Sequence, residues 1–279
     1  MNKLTILGNG YTAQFLSKEA LKKGFEVYIV TRNIEKPKKN IHYINFYDSN
    51  NVSKNLMTNH IISTIPPDKD GNDPVILKYG KSIASNKSKI IYLSATSVYG
   101  NGEVDEQTRP DPKSKRGEVR LSAEKEWLKR NKKSSLFRIS GIYGPKRHPM
   151  IKYLNGDNTV IVKEDFISNR IHVEDLSAII IKFLKENRDE RIINVSDQNI
   201  VKNLDAIQYV TKKLQLIKPS ILEYKPEEVS DMLKTFYEVN RIVKTKVIGH
   251  HFVYKMKYPD YKEALLDLTR KTILIKTKH

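Results

Sequence analysis

The sequence predicts a doubly wound α/β fold, in which helices cover both faces of a parallel sheet. In the first half, short apolar runs alternate with amphipathic stretches. The apolar runs are nearly continuous, as expected for strands that are buried on both faces. The alternation repeats several times, and right-handed crossovers between parallel strands then place helices on both sides of the sheet.

The first elements are the clearest. The run KLTIL at residues 3–7 predicts a strand, and YTAQFLSKEALKKG at 11–24 predicts a helix. Phe15, Leu16, Ala20 and Leu21 recur at the helical period, and Gly24 stands where a helix would end. A strand followed at once by a helix is the first unit of the predicted fold.

The same alternation continues to about residue 145. Further strands are predicted at FEVYIVTR (25–32), HIISTIPP (60–67), KIIYLSAT (89–96) and SSLFRISGIYG (134–144). Further helices are predicted at PVILKYGKSIAS (74–85), which starts at Asp73-Pro74, and at GEVRLSAEKEWLKRN (117–131).

Small residues open the first strand-to-helix turn. Gly8, Gly10 and Ala13 follow the strand in the pattern G-x-G-x-x-A. The first glycine permits a tight turn, the second lets the backbone approach a pyrophosphate, and the small third residue lets helix and strand pack closely. A phosphate at the helix N-terminus is favoured by unpaired N–H groups, here those of Tyr11 and Thr12, and by the helix dipole. The turn predicts a dinucleotide-binding Rossmann fold; a tight turn without a ligand is the alternative.

The end of the second strand bears on the choice of dinucleotide. An acidic side chain there would accept a hydrogen bond from the ribose 2′-hydroxyl of NAD, but Thr31 and Arg32 occupy this place. A guanidinium suits a 2′-phosphate, so NADP is favoured over NAD; an exposed arginine without a ligand is the alternative. Thr64 and Pro66 end a strand at the same sheet edge and are expected to line the cofactor cleft, unless they form a plain turn.

The chain divides into two predicted parts. Residues 1–150 are expected to form the dinucleotide-binding Rossmann core. After about residue 145 the alternation loosens, and residues 151–279 are expected to form a smaller substrate lobe with segments that return to the core.

Composition excludes several classes of protein. The 279 residues include no cysteine, which excludes disulfides, thiolate nucleophiles and cysteine-ligated metals and is compatible with the cytoplasm. No signal peptide or membrane span is expected. The pair His250-His251 has no partners at metal-ligand spacing, so no metal site is expected.

The chain is strongly basic, with a formal net charge of +18. The basic residues are mostly lysines scattered among Asn, Ser and Ile, which indicates a lysine-rich composition rather than a nucleic-acid interface. Only the net charge would support an interpretation of this protein as a nucleic-acid binder. The positive field would still attract a ligand that carries phosphate.

Successive blocks of the chain resemble the extended short-chain dehydrogenase/reductases, the NAD-dependent epimerase/dehydratase family. The blocks are YLSATSVYG (92–100), VDEQTRPDP (104–112), RGEVRLSAEKEW (116–127), FRISGIYGP (137–145), NRIHVEDLSAII (169–180), INVSD (193–197) and NRIV with YPDYKEAL (240–243, 258–265). The tail is similar to an atypical branch of the family. The resemblance covers nearly the whole chain and implies the same fold and cofactor site.

The residues at the family's catalytic positions differ from the family pattern. The resemblance implies a Ser or Thr, a Tyr acid/base and a Lys, and the matching positions here are Ala95, Arg116 and Arg120. Arginine is unsuited to proton transfer near neutral pH because its pKa exceeds about 12. Thr96 or Ser97 would supply the hydroxyl if the alignment shifts by a residue or two.

Arg116 and Arg120 are therefore substrate-binding candidates, since a guanidinium clamps an anionic group. The alternative places both on the solvent face of their helix. The resemblance also places Tyr143 in a loop beside the nicotinamide, Glu106 near the substrate cleft, and Arg170 and His172 on the strand toward the substrate lobe. Each of these has a structural alternative: a turn, a surface charge or a buried histidine. Tyr99 is expected to pack.

Together these observations predict an NAD(P)-binding, epimerase/dehydratase-like oxidoreductase with an undefined small-molecule substrate, anionic or nucleotide-linked. If it is active, it would transfer hydride. A non-catalytic NAD(P)-binding sensor or regulatory protein is the alternative, favoured by the substituted catalytic positions. The sequence leaves the oligomeric state open, with a homodimer as one option.

Overall fold

The computed structural model describes residues 2–36, 38–197 and 199–277. The strands are, in chain order, β1 (Lys3–Leu7), β2 (Glu26–Thr31), β3 (Ile41–Asn45), β4 (His60–Ser63), β5 (Ile90–Ala95), β6 (Gly102–Val104), β7 (Ser134–Ile139), β8 (Gly141–Tyr143), β9 (Thr159–Val162), β10 (Arg170–His172), β11 (Ile192–Val195), β12 (Ser220–Glu223) and β13 (Arg241–Val243). The α-helices are α1 (Tyr11–Lys22), α2 (Ser49–Thr58), α3 (Pro74–Ser85), α4 (Lys115–Arg130), α5 (Met150–Tyr153), α6 (Val173–Lys185), α7 (Asn203–Lys213), α8 (Asp231–Tyr237) and α9 (Tyr261–Lys276).

Within the described residues, seven strands form one parallel sheet in the order β11-β7-β5-β4-β1-β2-β3. From β1 the chain first moves outward through β2 and β3, and then returns to place β4 on the other side of β1. The strand order therefore reverses between β1 and β4. In sheets of this type, ligands bind in the crevice outside the carboxyl ends of the strands at this point.

Helices cover both faces of the sheet, as the sequence predicts. Neighbouring strand residues point to opposite faces: Ile6 belongs to the apolar core under α1 and α6, and Leu7 to the core under α2, α3 and α4. Trp127 of α4 is fully buried and stacks on Tyr92 of β5 with ring centroids 5.4 Å apart. The doubly wound α/β prediction is confirmed.

The second half contains both a separate apolar cluster and segments that return to the sheet. Residues of α5, α7, α9 and β9 share one cluster, which includes Tyr143. In contrast, α6 packs on α1, and β11 pairs with β7 at the edge of the main sheet. Strand β13 pairs with β6, which lies in the first half. The division at residue 150 stays a prediction.

One strand and one helix of the core have no counterpart among the predicted elements. β3 and α2 fall in the segment IHYINFYDSNNVSKNLMT, which is rich in polar residues. β3 lies at the edge of the sheet, and α2 buries only Val52 and Leu56. An edge position with little apolar burial leaves a weak periodic signal in the sequence.

Candidate cofactor and substrate site

The glycine turn lies at the reversal of strand order. Gly8 follows β1 with φ +101°, a conformation that favours glycine, and its N–H donates to the Val30 carbonyl at 2.8 Å. A Cβ on Gly8 would lie 2.5 Å from Thr64 Oγ1. Thr64 follows β4, and its hydroxyl donates to the Leu7 carbonyl at 2.9 Å. The turn is thus tight because β1 and β4 meet there.

The N-terminus of α1 is open. Gly10 is the N-cap residue and supplies no side-chain hydrogen bond to the first turn, and no acidic residue lies in that turn. A Cβ on Gly10 would meet no described atom within 4 Å. Ala13 is fully buried where helix and sheet meet. The free N–H groups of the first turn, including those of Tyr11 and Thr12, suit an anion such as a pyrophosphate.

Tyr11 ties this turn to the loop that follows β8. Its hydroxyl donates to the Pro145 carbonyl at 3.1 Å, and Arg147 lies over its ring at 5.4 Å. Burial raises the pKa of Tyr11 to about 12, although the Arg147 cation opposes the shift. Gly144 is close-packed here, since a Cβ on it would lie 2.7 Å from the Tyr11 hydroxyl. Tyr11 therefore contributes a side-chain contact that the sequence reasoning missed.

The loop after β2 carries opposite charges. Arg32 is exposed and makes no hydrogen bond or ion pair with any described residue. Three residues later, the Glu35 carboxylate accepts from Asn9 Nδ2 at 2.6 Å and from Lys38 Nζ at 3.1 Å. These contacts lower the pKa of Glu35. Sequence reasoning considered only positions 31 and 32 and missed Glu35, which is held against the residue between the two glycines.

The positions that match the family's catalytic residues cluster around the end of β5. Ala95 ends β5, and α4 packs against residues 96–98. Arg120 donates to the Tyr92 hydroxyl at 3.1 Å and to the Leu93 carbonyl at 3.2 Å, so it lies against the strand. Arg116, one turn earlier, is exposed and has no partner in the described part of the chain. The two arginines therefore occupy different environments.

The first turn of α4 closely approaches the segment that follows β5. A Cβ on Gly117 would overlap the Ser97 carbonyl oxygen and lie 2.9 Å from Pro112 Cβ. Ser97 Oγ is buried and has no hydrogen-bond partner among the described atoms. The Thr96 carbonyl accepts a hydrogen bond from Arg241. Residues 96 and 97 thus contact both α4, through Gly117, and the C-terminal segment, through Arg241.

A network of buried polar side chains links α4 to strands β5, β7 and β11 next to these positions. The Glu124 carboxylate receives Arg138 Nη2 at 2.7 Å and the Ser94 hydroxyl at 2.6 Å. Arg138 Nη1 donates to the Tyr99 hydroxyl at 2.9 Å, and that hydroxyl donates to Asn194 Oδ1 at 2.9 Å. These side chains are buried. Tyr99 is therefore a packing and network residue.

The remaining family positions hold elements together. Glu106 accepts from the backbone N–H groups of Asn194 (3.2 Å), Lys246 (3.1 Å) and Val247 (3.3 Å). Arg170 donates to the Ser168 and Val201 carbonyls, each at 2.9 Å, and its guanidinium lies 4.1 Å from the Tyr261 ring centroid. These contacts tie the C-terminal segments to the sheet.

His172 and Tyr143 pack edge to face, with ring centroids 5.1 Å apart. His172 Nδ1 accepts from the Glu174 N–H at the start of α6, and burial lowers the pKa of His172 to about 4. The histidine is therefore a neutral helix cap at neutral pH. Burial raises the pKa of Tyr143, whose hydroxyl has no partner among the described atoms.

A cavity of about 1230 Å³ lies between the loop after β7 and the C-terminal elements. The residues that line it include Gly141, Tyr143, Lys163, Tyr224 and Tyr237. Lys163 Nζ donates to the Tyr237 carbonyl at 2.7 Å and lies 5.7 Å from the Tyr224 ring centroid. The aromatic side chains of this cavity suit a flat small molecule. The charge of the lining is mixed, since it includes acidic as well as cationic side chains, such as the pair Lys152 and Asp157.

Other kinds of site find no support in the described residues. No cluster of three or more His, Asp or Glu side chains there has a metal-binding arrangement. The side chains of His250 and His251 lie outside the described part. None of the described helices has the length and apolar character needed to cross a bilayer. Pro66 is exposed beside the turn.

Comparison with known proteins finds similarity in structure. No protein-family model and no curated protein sequence matches the chain. A functionally unknown conserved protein from Silicibacter pomeroyi is 27% identical, with a TM-score of 0.85 over 98% of this chain and 99% of that one. dTDP-glucose 4,6-dehydratase from Bacillus anthracis in complex with NAD is 14% identical, with a TM-score of 0.77 over 98% and 97%. A human epimerase family protein, SDR39U1, with NADPH is 13% identical, with a TM-score of 0.74 over 96% and 99%.

These neighbours show that the chain has the Rossmann fold of the NAD-dependent epimerases and dehydratases over nearly its whole length. The resemblance noted in the sequence blocks is confirmed at the level of the fold. The structure of the dTDP-glucose 4,6-dehydratase holds NAD, and that of SDR39U1 holds NADPH. The open glycine turn of this chain lies where a fold of this class holds such a dinucleotide.

Proposed function

We propose that this protein binds a nicotinamide dinucleotide at the glycine turn and acts as an epimerase/dehydratase-like oxidoreductase on a small molecule. The observation that carries the proposal is the open N-terminus of α1 beside Gly8 and Gly10 at the reversal of strand order. The alternative of a tight turn without a ligand would leave the N–H groups at this helix end to solvent.

The residues present fit the dinucleotide. The Tyr11 and Thr12 N–H groups would bind the pyrophosphate, and the missing Cβ of Gly10 leaves it room. Thr64 and Pro66 would line the adenosine side of the cleft, and the loop containing Tyr143 would line the nicotinamide side. A bound nicotinamide supplies hydride transfer. The protein's own contribution is to orient the ring and to exclude water.

We propose NADP as the preferred cofactor, with NAD as the alternative. Arg32 is exposed and free of partners in the described chain, which suits a 2′-phosphate. Glu35 favours NAD, because a carboxylate accepts from a 2′-hydroxyl and repels a phosphate. Lys38 and Asn9 already engage Glu35, and this engagement leaves Arg32 as the freer group.

The substrate is proposed to enter the cavity between Tyr143 and the C-terminal elements. One structural neighbour is named for its action on dTDP-glucose, and another is in complex with UDP-glucuronic acid. The cations and aromatic rings of the cavity here are compatible with a nucleotide-linked or other anionic molecule. We also propose a cytoplasmic location.

Proton transfer would differ from the usual pattern. Arg120 is bonded to Tyr92 and Leu93, and Arg116 is exposed, so neither supplies a proton near neutral pH. Substrates that need a tyrosine acid/base are expected to turn over slowly, since such catalysis is worth ~10²–10⁴-fold in rate. This is the observation that keeps a non-catalytic NAD(P) sensor as the second candidate.

Fluorescence titration of the purified protein with NADPH and NADH tests the proposal. Saturable binding is expected, with NADPH the tighter ligand. A following assay of absorbance at the reduced nicotinamide band, with a panel of carbonyl and nucleotide-sugar substrates, separates the two candidates. Turnover favours the oxidoreductase, and binding without turnover favours the sensor. Absence of binding to both NADPH and NADH contradicts both candidates.

A further inference from the structure

Arg241 reaches the end of β5 from the far end of the chain. It begins β13, which pairs with β6, and its carbonyl accepts from Asn169 Nδ2 at 2.8 Å. Its guanidinium donates to the carbonyl of Thr96, the residue after Ala95. The side chain is thus fixed beside the substituted catalytic positions by contacts on both its backbone and its guanidinium.

Arg241 has no negative partner among the residues that the structure describes. In the described part of the chain it forms no ion pair, and its Nε is buried without a hydrogen-bond partner. Desolvation alone lowers the pKa of Arg241 to about 10. Arg138 is also buried, but its charge is paired, since its guanidinium lies 2.7 Å from the Glu124 carboxylate. A desolvated cation with unused donors is costly unless an anion joins it.

Other unused donors flank the same segment. Ser97 Oγ is buried and without a partner among the described atoms. Arg116 precedes Gly117, which packs on the Ser97 carbonyl, and Arg116 has no partner in that part of the chain. The segment 96–97 therefore meets two buried polar groups with unused donors, the Arg241 guanidinium at the Thr96 carbonyl and the Ser97 hydroxyl.

We propose that Arg241 and Ser97, the Arg241 subsite, bind a carboxylate or phosphate group of the substrate. The subsite adjoins the substrate cavity, because Asn169, which donates to the Arg241 carbonyl, lies between the cavity-lining residues Ser168 and Arg170. The fork of a guanidinium matches both anions in two-point contacts, and charge-assisted bonds are the stronger kind. The subsite lies at β5, two strands from β1, a separation of about 10 Å at ~4.8 Å per strand. It is therefore distinct from the glycine turn. The assignment to substrate rests on the proposed function and deepens it.

Calorimetric titration with inorganic phosphate and with malonate tests the subsite, on the free protein and on protein saturated with NADPH. Saturable binding of at least one anion is expected in both states. Arg241→Met should weaken it by roughly tenfold or more, because one charge-assisted contact is lost. Lys244→Met is the matched control, since Lys244 is about half exposed and pairs with Glu103 at 3.4 Å; its affinity should not change.

The wild-type protein provides a readout that does not depend on the variant's folding. The ¹⁵Nε–H signal of Arg241, assigned from Arg241→Lys, should shift as phosphate or malonate is added. An unmoved signal, equal losses in Arg241→Met and Lys244→Met, or absence of saturable binding would overturn the subsite. Displacement of the anion by NADPH would also overturn it, because the anion then occupies the cofactor's phosphate site.

The failure of the proposed function would look different. If no dinucleotide binds, the oxidoreductase proposal fails, while the anion titration on the free protein still decides whether the Arg241 subsite exists. The two probes separate the anions, since preference for malonate indicates a carboxylate group and preference for phosphate indicates a phosphorylated substrate.

Discussion

At the scale of single residues, the two arginines of α4 show how neighbouring substitutions acquire different roles. Arg120 faces β5 and bonds to Tyr92 and Leu93, whereas Arg116 is exposed. The alternative that both lie on the solvent face is therefore wrong for Arg120. Their common charge suggested one role from sequence, but position on the helix determines which of them is free to bind an anion.

The two glycines of the turn should respond differently to substitution. Gly10→Val is expected to abolish dinucleotide binding while the fold is kept, because Gly10 has φ −80° and its Cβ position is free of described atoms within 4 Å. Gly8→Ala should lower the melting temperature, because Gly8 has φ +101° and its Cβ would lie 2.5 Å from Thr64 Oγ1. Fluorescence titration and thermal unfolding measure the two effects. Unchanged affinity in Gly10→Val would show that the pyrophosphate lies elsewhere.

Cofactor preference should depend on Arg32 and Glu35 with opposite sign. Arg32→Asp is expected to weaken the binding of NADPH more than that of NADH. The difference should be tenfold or more, because a charge-assisted hydrogen bond contributes ~1.5–3 kcal/mol. Glu35→Gln is expected to strengthen NADPH binding modestly, because the carboxylate that repels a 2′-phosphate is removed. It should not strengthen NADH binding. The ratio of the two dissociation constants is the measurement. Equal changes for both coenzymes would contradict the assignment of the 2′-phosphate to this loop.

At the scale of elements, how well each segment could be predicted follows from the range of its interactions. The glycine turn and α4 are encoded locally: Ser114 caps α4 by accepting from the Gly117 N–H at 3.2 Å. The contact between Asn9 and Glu35 spans 26 residues, and that between Thr96 and Arg241 spans 145. Contacts across such separations leave no periodic pattern in a single sequence, so the turn was predictable and these partners were not.

The junction of α4 with β5 and β7 depends on the buried ion pair of Glu124 and Arg138. Glu124→Gln is expected to lower the free energy of unfolding by about 3–5 kcal/mol, the cost of leaving a buried charge unpaired. Chemical denaturation measures this change. The surface control is Glu126→Gln, whose partner Arg130 is 4.0 Å away and exposed, and whose loss should cost at most ~1 kcal/mol. Equal costs for the two variants would show that the network contributes little.

At the scale of the whole molecule, stability should depend on pH through Asp197. Burial raises the pKa of this carboxyl to about 7, and its Oδ2 has no partner among the described atoms. Its pKa is higher in the folded state, so the folded state holds the proton more tightly. The stabilisation is present below about pH 4, the ordinary range of an aspartate, and is lost as the pH rises to about 7.

Denaturant unfolding of Asp197→Asn across this range checks that dependence. The native chain is expected to lose stability between about pH 4 and pH 7, and the variant is expected to lack this fall, because a neutral amide has no proton to lose. Asp157→Asn is the exposed control and should keep the native slope, since its carboxylate pairs with Lys152 at the surface. A slope that persists in Asp197→Asn would assign the dependence to other groups.

The fold as a whole joins a predictable Rossmann core to a C-terminal part whose segments β11 and β13 return to pair with strands of the first half. The central claim is that the open turn between β1 and α1 holds a nicotinamide dinucleotide. Isothermal titration of NADPH into the wild-type protein and into Gly10→Val tests it most directly. The account predicts saturable one-to-one binding by the wild type and none by the folded variant. Absence of heat with the wild type, or equal affinity of the two proteins, would contradict it.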